Sequence, residues 1–282
     1  MNVAEWAGER SLHHSRWDAE VLRGQSASVC LPARECALTV GPIVESLLSL
    51  GVLEEVVVVD AASADGTAEV ARRAGARVLQ EDELLPEFGP VRGKGDAMWR
   101  ALSELRGELV CYLDADSDRF SPHFAIGLLG ALVEFPEISF VKAFYRRPFA
   151  VGAGAEIADG GGRVNHLLAR PALALFRGEL SAVRQPLAGE IAARRELLRR
   201  IPFTCGYGVE VAMLYDVLDA VGLQGMAQVD LELHHNEHKP LLALVPMAQE
   251  ILHVIAGRLV RSGRLDGLDP GEIVERPPLR SL

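Results

Sequence analysis

Four consecutive valines, Val56–Val59, flanked by Glu55 and Asp60, set the tightest limit on the fold. A strand with one wet face alternates apolar and polar residues. An unbroken β-branched run belongs to a strand covered on both faces, as in a parallel sheet between helical layers. The neighbouring segments alternate in the same sense. Ala27–Leu31 reads as a strand ended by Pro32, and Val40, Ile43, Val44, Leu47 and Leu48 give Thr39–Leu50 a helical stripe that stops at Gly51. A helix over 66–74 follows, with Asp65 as its N-cap, then a strand Ala76–Leu79. An acidic loop over 81–93, a helix Asp96–Leu105 and a strand Leu109–Leu113 complete a β-α-β-α-β-α-β order. That order implies an α/β, Rossmann-like, mainly parallel sheet with helices on both faces and right-handed crossovers.

The second half reads as a helix Pro122–Phe135, a strand Ile138–Phe144 and a Gly/Ala-rich loop over 150–163. Helices follow at Val164–Phe176 (kinked or divided by Pro171), Glu190–Arg200 and Tyr207–Val221. Met226–Leu233 reads as a strand, His234–His238 as a histidine cluster and Leu241–Val260 as a long amphipathic helix. The organisation expected is an N-terminal extension over 1–26 packed on the surface, an α/β half over 27–145, a C-terminal part of the same domain over 146–262, and a polar, partly disordered tail over 263–282.

Twenty-nine basic against 39 acidic residues leave a net charge of −10. That argues against a nucleic-acid or anionic-membrane partner, though a local basic pocket can still hold a small anion. Cys30, Cys36, Cys111 and Cys205 lack metal-type spacing and read as free thiols in a reducing cytoplasm. The first residues carry Glu5, Trp6, Glu9 and Arg10 in place of an apolar run, so no signal peptide is expected, and the apolar run Phe124–Val133 is too short to span a bilayer.

The chemistry concentrates where strands end. Leu109–Leu113 runs into Asp114, Ala115 and Asp116, two carboxylates able to share a hard divalent cation such as Mg²⁺ or Mn²⁺. Ligands in open α/β sheets sit outside the carboxyl ends of strands. The alternative is a strand followed by an Asp-rich turn. Arg92-Gly93-Lys94-Gly95 lacks Walker A spacing, and Gly152-Ala153-Gly154 lacks the third glycine of a dinucleotide fingerprint. The histidines at 234, 235 and 238 suit a solvated strand end, and Glu190 and Glu210 suit helix starts. Ordinary readings of each motif leave unexplained why all gather at one sheet edge.

These motifs also carry a resemblance. Leu-Pro-Ala (31–33), Val-Val-Asp-Ala-Ala-Ser-Ala-Asp-Gly-Thr (58–67), Arg-Gly-Lys-Gly (92–95) and Leu-Asp-Ala-Asp (113–116) are shared by many GT-A glycosyltransferases. Phe-Tyr-Arg-Arg-Pro (144–148), Gly-Gly-Gly-Arg-Val (160–164), Gln-Pro-Leu-Ala-Gly-Glu (185–190) and Gly-Tyr-Gly-Val-Glu (206–210) are more specific. Over residues 27–260 the chain resembles the glucosyl- and mannosyl-3-phosphoglycerate synthases, retaining transferases of the GT-A fold. The resemblance implies a nucleoside diphosphate sugar as donor and D-3-phosphoglycerate as acceptor, with a divalent cation and a homodimer. It places Pro32, Ala33, Glu35, Ser63, Lys94 and Asp114 at the nucleotide, and Leu187, Tyr207 and Glu210 at the donor sugar. Gly162, Arg163, Asn165 and His238 would take the acceptor, and Asp116 with His235 the metal. No protein base or nucleophile is implied. Where the family has Pro-Ala-x-Asn-Glu-Glu, residues 32–37 read Pro-Ala-Arg-Glu-Cys-Ala, which turns the expectation toward GDP-mannose over UDP- or GDP-glucose. The third metal ligand falls among His235, Asn236 and His238. A polyprenyl-phosphate acceptor and a non-catalytic sugar-nucleotide-binding protein are the alternatives.

Overall fold

The computed structural model describes residues 1–152, 155–235, 239–267 and 269–281. The first half runs α1 (Val3–Glu9), β1 (Ser11–His13), β2 (Ala27–Ala33), α2 (Val40–Leu48), β3 (Glu55–Asp60), α3 (Thr67–Arg73), β4 (Arg77–Gln80), α4 (Lys94–Glu104) and β5 (Leu109–Tyr112). Then come α5 (His123–Glu134), β6 (Phe140–Arg146), β7 (Phe149–Gly152), β8 (Ala155–Ile157), α6 (Arg170–Phe176), β9 (Ile191–Arg194) and α7 (Arg195–Leu198). The last elements are β10 (Phe203–Thr204), α8 (Val209–Val221), β11 (Met226–Leu233), α9 (Val245–Arg261) and β12 (Glu275–Arg276).

Eight strands form the main sheet in the order β1-β11-β6-β9-β5-β2-β3-β4. The valine run behaves as its composition requires. Val57 and Val59 face one core with Trp99, Tyr112 and Val209, whereas Val56 and Val58 face the other with Ile43, Leu47 and Phe124. All four are buried, each contributing roughly 1.5–3 kcal/mol of hydrophobic stabilisation. Every neighbouring pair is parallel except those made by β9, which runs antiparallel between β5 and β6.

That strand corrects the helix expected over Glu190–Arg200. Ala192 and Ala193 are good helix formers, but tertiary context overrides that preference here, with both buried in the ladder between β5 and β6. Only Arg195–Leu198 turns helical. The segment 1–26 is also more than a surface extension: β1 pairs with β11 as the edge strand, and the buried Trp6 indole N–H donates to the Met226 carbonyl at 2.9 Å. Nor is the tail loose. β12 pairs with β10, and Arg276 reaches Asp96 through Nε–Oδ1 at 2.8 Å and Nη2–Oδ2 at 2.6 Å. Asp96, fully buried, also takes Arg100 Nε at 3.0 Å and the Arg92 amide at 2.9 Å. Burial alone would raise its pKa, but the guanidinium groups of Arg276 and Arg100 hold it below the ordinary carboxylate value.

Pro171 divides the expected 164–176 helix. Having no N–H, it cannot continue the α ladder, and Asn165–Ala169 widens into a π-turn before α6. The expected loop over 150–163 contains the β7–β8 hairpin. Leu241–Arg261 is long and apolar enough, by length and composition, to cross a membrane. Its Ile251, Val254, Ile255 and Leu259 are nevertheless buried in the core beside α8, while Leu241, Leu242, Val245 and Leu252 are exposed.

Candidate active site

The carboxyl ends of β2 and β3 hold their loops together through side chains. Asp60 Oδ2 accepts from the Ser63 amide at 3.1 Å, and Ser63 Oγ accepts from the Glu35 amide at 2.9 Å. Glu35 Oε1 in turn accepts from the Ala64 amide at 2.8 Å, and Glu35 holds a left-handed φ of 54°. Ala33 and Asp60 end paired strands, with Pro32 beside Val59, so Pro32, Ala33, Glu35 and Ser63 share one rim. Cys36 turns inward: it is buried, its thiol donating to the Arg34 carbonyl at 3.2 Å and pushed above its ordinary pKa by burial. All four cysteines are free.

At the next strand end three charges converge. Lys94 opens α4, two residues earlier than the sequence expectation, which brings its side chain to the helix start. Its Nζ lies 2.6 Å from Asp114 Oδ1 and 3.0 Å from Glu210 Oε1, on the first turn of α8. Burial opposes the ammonium, but the two carboxylates outweigh it and hold Lys94 well above its ordinary pKa. Gly95 is glycine because α4 passes against β10, where a Cβ would overlap the Thr204 carbonyl. Gly189 faces the ion cluster. A Cβ there would fall 2.6 Å from Lys94 Nζ, and closer still to both Asp114 carboxylate oxygens.

The segment carrying Leu187 and Gly189 is pinned from below. Buried Lys142 of β6 donates from Nζ to the Ala188 carbonyl at 2.6 Å. Desolvation, partly offset by Glu210, lowers Lys142 to about 8. Gln185 donates to the Tyr145 carbonyl, and Asn165 spans the loop with its Nδ2 to the Arg184 carbonyl and its Oδ1 to the Leu187 amide, both at 3.4 Å. Asn165 is buried, so its visible work is holding this loop. Gly162, at φ 66°, precedes Arg163, whose guanidinium stacks 5.0 Å from the Phe149 ring centroid and donates to the Lys239 carbonyl. Half-exposed Tyr207 lies in the turn before α8, with Lys239 Nζ 5.7 Å from its ring centroid.

Asp116 is exposed beyond Asp114. Partial desolvation and the Asp114 charge raise its pKa, an arrangement that a cation would relieve. His235 lies against the same loop, its carbonyl accepting from the Asp118 amide at 3.2 Å. His238 and Asn236 fall outside the described residues. One pair went unread in the sequence. His234 is buried, with Nε2 2.9 Å from Glu190 Oε1 and its ring stacked on Tyr145 at 4.7 Å. Tyr145 Oη donates to Glu190 Oε2 at 2.7 Å. Burial works against both charges, but each holds the other ionised, Glu190 well below its ordinary pKa and His234 above. The Gly-Glu at 189–190 and the histidine cluster were both visible; what hid their pairing was the expected helix over 190–200.

Residues 28–152 match the family described as glycosyl transferase family 2. A glucosyl-3-phosphoglycerate synthase of Petrotoga mobilis is 40% identical over 270 residues, 92% of this chain and 83% of the relative. The crystal structure of a mannosyl-3-phosphoglycerate synthase from Rubrobacter xylanophilus superposes with a TM-score of 0.91 at 42% identity, covering 100% of this chain and 98% of that one. A glucosyl-3-phosphoglycerate synthase from Mycobacterium tuberculosis, solved with Mn²⁺, UDP-glucose and phosphoglyceric acid, gives 0.84 at 36% identity over 97% of this chain and 99% of its own. The mostly parallel eight-stranded sheet with its helices is thus the GT-A fold.

Proposed function

The chain belongs to the glucosyl- and mannosyl-3-phosphoglycerate synthase family, and from that premise we propose that it transfers a hexose from a nucleoside diphosphate sugar to 3-phosphoglycerate. The observation that carries this reading is the Lys94–Asp114–Glu210 cluster, set between the nucleotide rim at Glu35 and Ser63 and the loop that carries Leu187. In this reading Pro32, Ala33, Glu35 and Ser63 frame the base and ribose. Lys94 lies against the diphosphate, where a fixed ammonium stabilises the leaving group's growing charge. Asp116, with His235 beside it, would hold a divalent cation, which when bound neutralises that same diphosphate. Glu210, Tyr207 and Leu187 orient the sugar. The Arg163 fork, on a turn made by Gly162, suits the phosphate or carboxylate of the acceptor. Transfer proceeds with retention and without a protein nucleophile, in the cytoplasm. Exposed Leu241, Leu242, Val245 and Leu252 form the surface on which we place a homodimer contact; sedimentation of Leu242→Glu as a monomer would support it.

For the donor we favour GDP-mannose. The inward turn of Cys36 leaves the carboxylate of Glu35 at the rim as the acceptor for base N–H groups, and guanine offers two side by side. The 40% identity to a glucosyl enzyme favours UDP- or GDP-glucose as the second reading. Incubation with Mn²⁺ or Mg²⁺, 3-phosphoglycerate and each of GDP-mannose, GDP-glucose, UDP-glucose and ADP-glucose, with nucleoside diphosphate release as readout, separates them. Turnover only with UDP-glucose would refute the guanine reading. Silence with every donor would refute the acceptor and return a polyprenyl phosphate, or binding without catalysis.

A further inference from the structure

At the far edge of the sheet from β4, β1 and β11 bring together a second set of metal-type ligands. His13 ends β1, His14 follows it, and Glu232 lies near the end of β11. Nε2 of His13 and Nε2 of His14 lie 3.5 and 3.4 Å from the same oxygen, Glu232 Oε1. Those separations are long for a hydrogen bond. They match the roughly 3.4 Å between donor atoms on a tetrahedral ion bound at about 2.1 Å. One ligand atom from each residue lies within 4.8 Å of the other two.

Several features hold this set in place. The chain spends a left-handed φ of 67° on Glu232, a non-glycine residue, and the Asp230 carboxylate secures that turn by accepting from the Glu232 amide at 2.8 Å. His14 packs against α5 at Gly127, where a Cβ would come 2.9 Å from the His14 Cβ. Its ring is also held by His123, with centroids 4.1 Å apart, and His123 is itself fixed to Ser121 Oγ at 2.7 Å and the Leu231 carbonyl at 3.2 Å. Despite this support, His14 Nε2 is a buried nitrogen without a hydrogen-bond partner among the described residues. His13 Nδ1 faces Ser15, with Oγ at 2.8 Å and the amide at 3.2 Å. The Ser15 amide donates to Nδ1, so ligation through Nε2 would move the ring proton to Nδ1, exchanging that longer amide bond for a donation to Ser15 Oγ.

We propose that His13, His14 and Glu232 form a site for a borderline first-row divalent ion of the zinc class, separate from the donor site and clamping the edge strand to the sheet. Two imidazoles and one carboxylate suit Zn²⁺, Co²⁺ or Ni²⁺ far better than Mg²⁺, and water would complete the shell. Three strands, β11, β6 and β9, separate β1 from β5, whose end carries Asp114 and Asp116. The ion would join β1 to β11 through side chains, adding to the backbone ladder of a three-residue strand.

The test uses the full chain, stripped of metal by chelator and titrated with Zn²⁺ against a chromogenic indicator. An Asp116→Ala background removes zinc bound at the donor site. One equivalent should bind in that background and raise the melting temperature. Adding His13→Ala or Glu232→Gln should weaken it by more than about tenfold, since even loss of an outer partner commonly costs that much, and should abolish the thermal shift. Both side chains are about half exposed, so neither change threatens folding. No zinc bound in the Asp116→Ala protein, or zinc binding unchanged by both further substitutions, would overturn the proposal.

Discussion

Gly189→Ala should disarm the donor site while leaving the fold intact. The added methyl would stand 2.6 Å from Lys94 Nζ and closer to both Asp114 oxygens. Ordinary contact begins near 3.5 Å, so ammonium and carboxylate must retreat by about 1 Å. The atoms in the way are the ends of side chains, which can move, so the backbone need not. What cannot survive is the geometry in which Lys94 lies 2.6 Å from Asp114 and 3.0 Å from Glu210. The three side chains keep some access to solvent (23%, 26% and 11% exposed for Lys94, Asp114 and Glu210), so they can retreat toward water with their charges still solvated and at little cost to stability. A misplacement of about 1 Å among groups that position and neutralise a leaving group costs up to about 100-fold in rate. Coupled-assay kinetics should therefore show kcat/KM down by about 10- to 100-fold, with unfolding in urea nearly unchanged. Activity within twofold of the parent would refute the claim that Gly189 is glycine for the sake of the cluster. A large loss of stability would show that the clash lands on backbone.

Four further outcomes are expected. Asp116→Ala should collapse turnover by at least about 100-fold with an unchanged melting temperature; substantial residual activity would remove Asp116 from the metal site. Arg163→Ala should raise the KM for 3-phosphoglycerate by about tenfold or more, the worth of one charge-assisted contact, and unaltered acceptor saturation would sink the assignment. Lys142, lowered to about 8 by burial, keeps its proton to about 10.4 once unfolded, so between those values the unfolded chain binds more protons and stability should rise with pH, by on the order of 3 kcal/mol in full. Lys142→Met should flatten that rise in urea titrations at pH 7.5 and 10, and an unchanged slope would place its origin elsewhere. Arg276→Ala strips Asp96 of one of its two guanidinium partners and should cost about 3 kcal/mol; a loss under about 1 kcal/mol would mean the tail is not anchored there.

The first half of the fold was legible because its signals are local and agree. The valine run, the helical stripe ending at Gly51 and the Asp-terminated strands each set one element, and parallel order followed from their alternation. Met226–Leu233 was read to its last residue for the same reason. The Glu190–Arg200 helix failed where local and global signals part. Ile-Ala-Ala is a fair helix in isolation, and nothing nearby in sequence announces that β5 and β6 leave a slot for it. From that error came another, since Glu190 read as a helix start has no reason to meet His234. The tail was unreadable for a comparable reason: what docks it is a two-residue pairing with β10 and one arginine on a carboxylate 180 residues earlier, all distant in sequence. Motif by motif the site was more accessible, because Lys94, Asp114 and Glu210 each sit at an element end. Their mutual contact was not, and Asn165 shows its role behind the Leu187 loop only in three dimensions.

Arg276 has a consequence for how the protein comes into being. Its partner Asp96 lies in the first turn of the helix that Lys94 opens, so the footing of that helix is finished by a residue synthesised 180 positions later. A chain still on the ribosome can lay down the strands from β2 to β5, but it holds a buried, half-paired carboxylate under Lys94 until residue 276 folds back. Until then the helix that presents Lys94 lacks one of the two guanidinium anchors at its base, so loosening the tail loosens the footing of the Lys94–Asp114–Glu210 cluster as well.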